Sequence, residues 1–214
     1  MLERSVPAPV VLVGGASRRM GTDKAVLAVD GVPAALRVAR VVATACGVPV
    51  GEVVLVGGPG LWAVELGLGH LPDDTPGAGP LAAIDTALRH LDGDCLVVAC
   101  DLLGVDVSTI AAIRDGGEVP GCDVAVAVGP DGRRQPLAAR WNASAAPAVS
   151  AAVGAGERSP IRLLRSLAVV EVAVDGLSVT NVNSPAELAD FLGADPHQSG
   201  VTDLTGESED HVPS

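Results

Sequence analysis

The sequence predicts a single-domain α/β fold in which one mainly parallel sheet is flanked by helices. Short runs rich in β-branched residues alternate with stretches rich in Ala, Leu and Arg through most of the chain, which is the pattern of βαβ units. A length of 214 residues suits one sizeable domain, since domains have about 100–200 residues. With 48% hydrophobic and 19% charged residues, the chain is too apolar to be disordered.

The individual elements are predicted from these runs and from the residues that bound them. Clear strand candidates are residues 10–13, 53–56, 95–100 and 124–128, and weaker ones are 138–141, 169–172 and 178–180. Helices are predicted at 33–46, 80–91, 108–115, 143–152, 160–167 and 185–191. Several of them begin at a Pro or just after a Ser, residues that suit the first helical turn.

The end of the chain differs in composition from the rest. Residues 193–214 include five acidic residues and neither Lys nor Arg, which is typical of a solvated tail. We therefore expect a folded domain over residues 1–192 and an acidic, disordered tail over residues 193–214.

Charge and composition exclude several classes of protein. A net charge of −12 and only three aromatic residues argue against nucleic-acid binding, which uses Lys, Arg and stacking rings. No apolar run reaches the roughly 18 residues of a membrane span, and the first residues lack the pattern of a secretory signal, so we expect a cytoplasmic protein. The four cysteines form no CxxC pair, which favours buried free thiols over zinc ligands or disulfides.

The first predicted strand leads into a glycine-rich loop, residues 14–24, with the sequence GGASRRMGTDK. Glycines after a strand let the backbone turn tightly and present N–H groups to an anion. Lys24 is the single lysine among 14 basic residues, and its compact ammonium group is suited to a phosphate. The glycine spacing matches neither GxGxxG nor GxxxxGK[ST]. We predict a phosphate-binding loop, with an ordinary solvated turn as the alternative.

Five segments, in order, resemble the MobA-type nucleotidyltransferases, the molybdenum cofactor guanylyltransferases. The first, LVGGASRRMGTDKAVLAVDGVP, is similar to the family signature LAGGxSxRMGxDKxxLxxxGxP. The others are DDTPGAGPLA beside DxxPGxGPLAG, VVACDL beside VVPCDL, GRRQPL beside GRxQPL, and NVNSPAEL beside NxNTPEDL. The resemblance implies a Rossmann-like fold of the nucleotide-diphospho-sugar transferase type, with the nucleotidyltransferase domain over residues 1–192.

The resemblance also implies an activity and its site. The activity is transfer of GMP from GTP to the terminal phosphate of molybdopterin, with release of pyrophosphate. The implied nucleotide contacts are Leu12, Val13, Gly14, Gly15, Arg18, Lys24, Asp73, Gly79 and Asp101. The implied pterin contacts are Arg19, Gln135, Asn181 and Asn183, and the implied catalytic set is Lys24, Arg19 and Asp101, with Mg²⁺ on Asp101. Cofactor-handling proteins or apo-molybdoenzymes are the implied partners.

Physical arguments support several of these roles. Asp101 follows an apolar strand at the edge where open α/β sheets bind ligands, and Mg²⁺ needs only one or two protein carboxylates beside phosphate oxygens. A helix N-cap or turn aspartate is the alternative for Asp101, and a turn is the alternative for Asp73 and Gly79. Asn181 and Asn183 alternate along the chain, so their side chains would share one face of an extended segment.

The chain departs from the family pattern at some positions. Val13 replaces an Ala, residues 103–105 replace Pro-Phe-Leu, and Gly57-Gly58 stand where an Asn-Arg pair is common. Three alternatives therefore stay open: a cytidylyltransferase, a nucleotidyltransferase for another small metabolite, and a non-catalytic nucleotide- or pterin-binding paralogue. The intact GPLA segment favours the guanylyl branch, and the retained Lys24 and Asp101 argue against the paralogue.

Overall fold

The computed structural model of the protein is organised around a seven-stranded sheet. It describes residues 6–13, 28–29, 31–182, 187 and 193. The strands are β1 (Ala8–Leu12), β2 (Ala28–Val29), β3 (Val32–Pro33), β4 (Val54–Val56), β5 (Gly69–Leu71), β6 (Cys95–Ala99), β7 (Val124–Val128), β8 (Arg134–Trp141) and β9 (Val169–Ala173). Strands β2 and β3 form a separate hairpin, and the other seven have the order β5-β4-β1-β6-β8-β7-β9.

The sheet is mainly parallel, as predicted. Within its described strands, β8 runs antiparallel to both neighbours, β6 and β7, while the remaining neighbouring pairs are parallel. The carboxyl ends of β1, β4, β5 and β6 therefore meet at one edge of the sheet, where open α/β sheets bind ligands.

Helices cover both faces of the sheet. They are α1 (Ala34–Cys46), α2 (Gly60–Leu66), α3 (Pro80–His90), α4 (Val107–Gly116), α5 (Ala146–Gly154) and α6 (Pro160–Leu163). Alternate residues of β1 point to opposite faces: Val11 packs with α1 and α4, and Val10 and Leu12 pack with α3 and α5. Strands buried on both faces are apolar without alternation, which explains why these runs were recognisable in the sequence.

Most predicted elements are confirmed to within a few residues at their ends, but several details differ. The strand predicted at 138–141 begins earlier, at Arg134, because Arg134 and Gln135 pair with Val128 and Ala127. The elements α2, β5 and the β2–β3 hairpin were not predicted, since each of these helices and strands has only two to seven residues. Apart from residues 187 and 193, the helix predicted at 185–191 and the tail lie outside the described residues.

One predicted strand is wrong. Residues 178–180 were expected to be extended, but Leu177–Val179 forms a single turn of 3₁₀ helix. Asp175 starts this turn, because its Oδ1 accepts the Ser178 N–H at 2.9 Å and its Oδ2 accepts the Ser178 hydroxyl at 3.0 Å. Side chains of this type compete with strand pairing by bonding nearby backbone groups.

Two predictions from composition can also be compared with the structure. All four cysteines are free and buried, as expected. Within the part of the chain that the structure describes, no helix has both the length and the apolar character needed to cross a membrane.

Candidate active site

The candidate site lies at the carboxyl ends of β1, β4 and β6. The Val13 N–H donates to the Val56 carbonyl at 3.0 Å, and the Cys100 N–H donates to the Leu12 carbonyl at 3.1 Å. Strand pairing thus continues to the last residues before the loops. Leu12 and Val13, two predicted nucleotide contacts, are buried at this edge beside Cys100 and Asp101.

Residues that flank the glycine-rich loop on both sides lie near this edge. The loop's predicted site residues Gly14, Gly15, Arg18, Arg19 and Lys24 lie outside the described residues, so their roles stay predictions. Residues on both sides of the loop are described. Val13 lies at the end of β1, and Val29 packs in a buried cluster with Leu103 and Val182, close to Asp101.

Asp101 is half-buried at the start of the loop that follows β6. Its backbone carbonyl accepts the Val182 N–H at 3.0 Å. The next helix, α4, is capped by Asp106, whose Oδ1 accepts the Thr109 N–H at 2.7 Å. The alternative in which Asp101 is the N-cap of α4 is therefore wrong, whereas the alternative of a turn aspartate stays open, since Asp101 lies in the turn after β6.

Two residues predicted to bind the pterin lie close together and next to Asp101. Gln135, in β8, donates from Nε2 to Asn181 Oδ1 at 3.1 Å, and the residue after Asn181 is the one bonded to Asp101. Both amides are half-buried, and each amide side chain offers both donors and acceptors. The structure thus brings Asp101, Gln135 and Asn181 into one group. Asn183 lies outside the described residues.

The arginines beside Gln135 do not join this group. Arg134 and Gln135 belong to β8, and Arg133 directly precedes it. Arg133 has a side chain that is 89% exposed, and Arg134 forms an ion pair of 2.7 Å with Glu171. Of these three residues, Gln135 is the one with a described side-chain hydrogen bond to Asn181.

Asp73 and Gly79 flank the turn before α3. Asp73 Oδ1 accepts the Thr75 N–H at 2.9 Å, which is the turn interaction considered as its alternative role. Gly79 precedes Pro80 at the start of α3 with φ +99°, a conformation that favours glycine. A Cβ atom at this position would lie 3.3 Å from the Arg158 carbonyl oxygen. The geometry of the turn alone thus accounts for both Asp73 and Gly79. Their contacts with a nucleotide stay predictions.

The neighbouring Asp74 is held by other groups. It forms ion pairs with Arg89 and with His90, whose Nε2 lies 2.9 Å from Asp74 Oδ2. The hydrogen bond from His90, followed by the charges of both partners, lowers the pKa of Asp74 below its usual value. Asp74 is thus engaged with the end of α3, which leaves Asp73 as the better candidate for a ligand.

The Gly57-Gly58 pair after β4 has a structural reason. Both residues have positive φ, +85° and +63°, and a Cβ atom at position 57 would lie 2.5 Å from the Val13 carbonyl oxygen. A Cβ atom at position 58 would lie 2.9 Å from the Trp62 ring. The turn therefore packs closely against Val13 and Trp62, which explains glycine at both positions.

A bound metal would depend on few protein ligands. Among residues 6–13, 28–29, 31–182, 187 and 193, no group of three or more His, Cys, Asp or Glu side chains could hold a metal ion. A single hard carboxylate such as Asp101 fits Mg²⁺, which takes most of its ligands from water and substrate phosphates.

Comparison with known proteins identifies the family. The family model described as "MobA-like NTP transferase domain" matches residues 9–172. The chain belongs to the MobA-like NTP transferase family. A member from Mycobacterium tuberculosis is 37% identical over 187 residues, covering 85% of this chain and 90% of the relative. A member from Deinococcus radiodurans is 34% identical over 197 residues, covering 86% and 92%. Both are named "Probable molybdenum cofactor guanylyltransferase".

A solved MobA-like structure has the same fold. The molybdopterin-guanine dinucleotide biosynthesis protein A from Archaeoglobus fulgidus superposes with a TM-score of 0.70 at 28% identity, covering 85% of this chain and 95% of that protein. The predicted fold class and the resemblance to MobA-type enzymes are thereby confirmed.

Proposed function

We propose that the protein transfers GMP from GTP to the terminal phosphate of molybdopterin and releases pyrophosphate. The observation that carries this proposal is the grouping of Asp101, Gln135 and Asn181 at the ends of β6 and β8 in a member of the MobA-like family. Relatives at 34–37% identity are named for guanylyl transfer, which favours this activity over the cytidylyl, small-metabolite and non-catalytic alternatives.

The nucleotide is proposed to lie over the ends of β1 and β4. Leu12 and Val13 are buried there beside the Gly57-Gly58 turn. The proposed contacts are Leu12, Val13, Gly14, Gly15, Arg18, Lys24, Asp73, Gly79 and Asp101. Backbone N–H groups of the loop and the Lys24 ammonium would hold the triphosphate.

Asp101 is the proposed ligand of Mg²⁺. Its half-buried carboxylate suits a cation that keeps several water and phosphate ligands. When bound there, the ion would neutralise triphosphate charge and orient the α-phosphate. Lys24 and Arg19 would add further positive charge, which would stabilise negative charge on the phosphates as it develops.

The acceptor is proposed to bind beside Gln135 and Asn181, together with Arg19 and Asn183. A phosphate oxygen of the acceptor forms a bond to the α-phosphorus of GTP, and the bond from that phosphorus to the bridging oxygen of pyrophosphate breaks. The attacking oxygen is already anionic, so the step requires no general base. Catalysis is then positioning and charge stabilisation, as in other phosphoryl transfers.

We further propose that residues 1–192 form the catalytic unit and that the protein works in the cytoplasm, where GTP is available. The product would pass to cofactor-handling proteins or apo-molybdoenzymes.

The test is pyrophosphate release by the purified protein with Mg²⁺ and molybdopterin, comparing GTP with CTP and ATP. Release with GTP alone, abolished by Lys24→Ala, is the expected result. Release with CTP would assign the protein to cytidylyl transfer. Absence of release with every nucleotide would overturn the proposed activity and favour another acceptor or a binding paralogue.

A further inference from the structure

The segment after β9 crosses the carboxyl edge of the sheet and reaches the candidate site. We call residues 174–182 the crossing segment. The Val174 N–H donates to the Val128 carbonyl at 3.0 Å, at the end of β7. Further along, Asn181 accepts from Gln135 of β8, and Val182 donates to Asp101 after β6. The segment thus passes β7 and β8 in turn before it ends beside β6.

A buried hydroxyl pair anchors the middle of the crossing segment. Ser178 is 1% exposed, and its Oγ lies 3.1 Å from Thr109 Oγ1 in α4. Because the Ser178 hydroxyl donates to Asp175 Oδ2 at 3.0 Å, the Thr109 hydroxyl donates to Ser178. Thr109 is itself buried, and its N–H is bonded to the N-cap Asp106. The pair therefore joins the crossing segment to the first turn of the helix that follows Asp101.

This arrangement gives the pair a role in the proposed reaction. We propose that Ser178 and Thr109 are positioning residues whose hydroxyl pair fixes Asn181 relative to Asp101, and with it the acceptor. The inference rests on the proposed function. Asn181 is three residues from Ser178 along the chain, and the Thr180 N–H bonds back to the Leu177 carbonyl at 3.2 Å, so a shift of the 3₁₀ turn would move Asn181. Displacements of about 1 Å can lower a rate by 10²-fold.

Loss of the hydroxyl pair is expected to weaken binding of the acceptor and to leave binding of the nucleotide unchanged. In Ser178→Ala the Asp175 carboxylate and the Thr109 hydroxyl each lose a partner, and a buried polar group without a partner drives local rearrangement. We expect the KM for molybdopterin to rise about 10-fold, within the range produced by small displacements, while the KM for GTP stays within two-fold, about 0.4 kcal/mol at most. Thr109→Val should act in the same direction, and Thr109→Ser should restore the wild-type value.

A double-mutant cycle separates positioning from general destabilisation. If Ser178 acts through Asn181, Ser178→Ala should add little to the KM for molybdopterin once Asn181→Ala is present, because coupled residues are not additive. Ser144→Ala is the matched control, since Ser144 also donates to an aspartate, Asp123 Oδ1 at 2.7 Å, away from the carboxyl edge. This control should leave both KM values unchanged.

The outcomes distinguish this inference from the proposed function. A wild-type protein that releases no pyrophosphate with any nucleotide overturns the activity. An active wild type whose Ser178→Ala and Thr109→Val variants lose thermal stability but keep both KM values overturns the positioning role. Additive effects of Ser178→Ala and Asn181→Ala on the molybdopterin KM would also overturn it. If Ser178→Ala does not fold, the comparison of Thr109→Val with Thr109→Ser provides the same test.

Discussion

The two ends of the sheet use polar residues in opposite ways. At the amino end of β6, Arg140 has a side chain that is 7% exposed and donates to Asp94 Oδ2 at 2.7 Å and to Asn142 Oδ1 at 2.9 Å. At the carboxyl end, Asp101 and Gln135 are half-buried and lie beside the crossing segment. One end is a closed network that stabilises the fold, and the other keeps polar groups at an edge where a ligand can reach them.

At the closed end, the buried guanidinium group of Arg140 donates hydrogen bonds to several partners. Besides Asp94 and Asn142, Arg140 donates to the Arg114 carbonyl at 2.7 Å. Asn142 in turn donates to the carbonyls of Gly117 and Cys122 at 2.8 and 2.9 Å. This Arg140 cluster joins the end of α4 to β7 and β8. Such a network stabilises because its members are bonded to each other, and it has little capacity left for a substrate.

The largest expected effect is on catalysis at the open end. Asp101→Asn keeps the size of the side chain but removes the charge proposed to hold Mg²⁺. We expect the rate of pyrophosphate release to fall on the order of 100-fold or more, comparable to losing a transition-state contact, with the melting temperature nearly unchanged. The exposed Asp131, in the turn before β8, provides the control, since Asp131→Asn should leave the rate as it is. Near-full turnover in Asp101→Asn would remove Asp101 from the mechanism.

At the closed end the expected effect is on stability. Arg140→Met leaves the Asp94 carboxylate partly buried without its cation. We expect the free energy of unfolding to fall by about 3–5 kcal/mol, as for other broken buried pairs, while kcat per folded molecule is retained. Urea unfolding and kinetics on the same sample measure both quantities. Arg133→Met, at an exposed arginine, should change neither, and a loss of kcat without a loss of stability in Arg140→Met would contradict the distinction between the two ends.

The two ends also differ in how much the sequence predicts. The buried strands were predicted because both of their faces are apolar, and Asp101 because it follows such a strand. The Gln135–Asn181 bond could not be predicted, since it depends on β8 lying between β6 and β7, an order that no local pattern encodes. Residues 178–180 resemble a strand by their alternation, but Leu177–Val179 forms a 3₁₀ turn in which Ser178 is bonded to Asp175.

A smaller effect is expected at the N-cap of α4, on the carboxyl side of the sheet. Hydrogen bonds to Asp106, first of all from the Thr109 N–H, lower its pKa. A carboxyl group whose pKa is lowered by folding stabilises the protein above its unfolded value of about 3.9, and this contribution is lost as the pH falls through the lower folded value. Asp106→Asn keeps a capping side chain that does not titrate.

Urea unfolding as a function of pH tests this prediction. The wild type should be more stable than Asp106→Asn at pH 7, and the difference should shrink below about pH 4. Asp106→Ala should lose about 1 kcal/mol at pH 7, as is usual for an N-cap. A difference between the wild type and Asp106→Asn that does not change with pH would show that the charge of Asp106 contributes nothing to the cap.

The last comparison concerns the two cysteines that begin and follow the central strand, β6. Cys95 starts β6 at the closed end, and burial, with a further contribution from the charge of Asp94, raises the pKa of its thiol to about 12. Cys100 follows β6 at the open end, beside Asp101. Because loops open at lower free energy than the core, we expect a thiol reagent at pH 8 to label Cys100 about 10-fold faster than Cys95. Mass spectrometry of the two peptides measures both rates.

Arg140→Met should accelerate the labelling of Cys95 more than that of Cys100, since the substitution weakens the closed end. Equal labelling rates in the wild type would mean that the two ends of β6 open together.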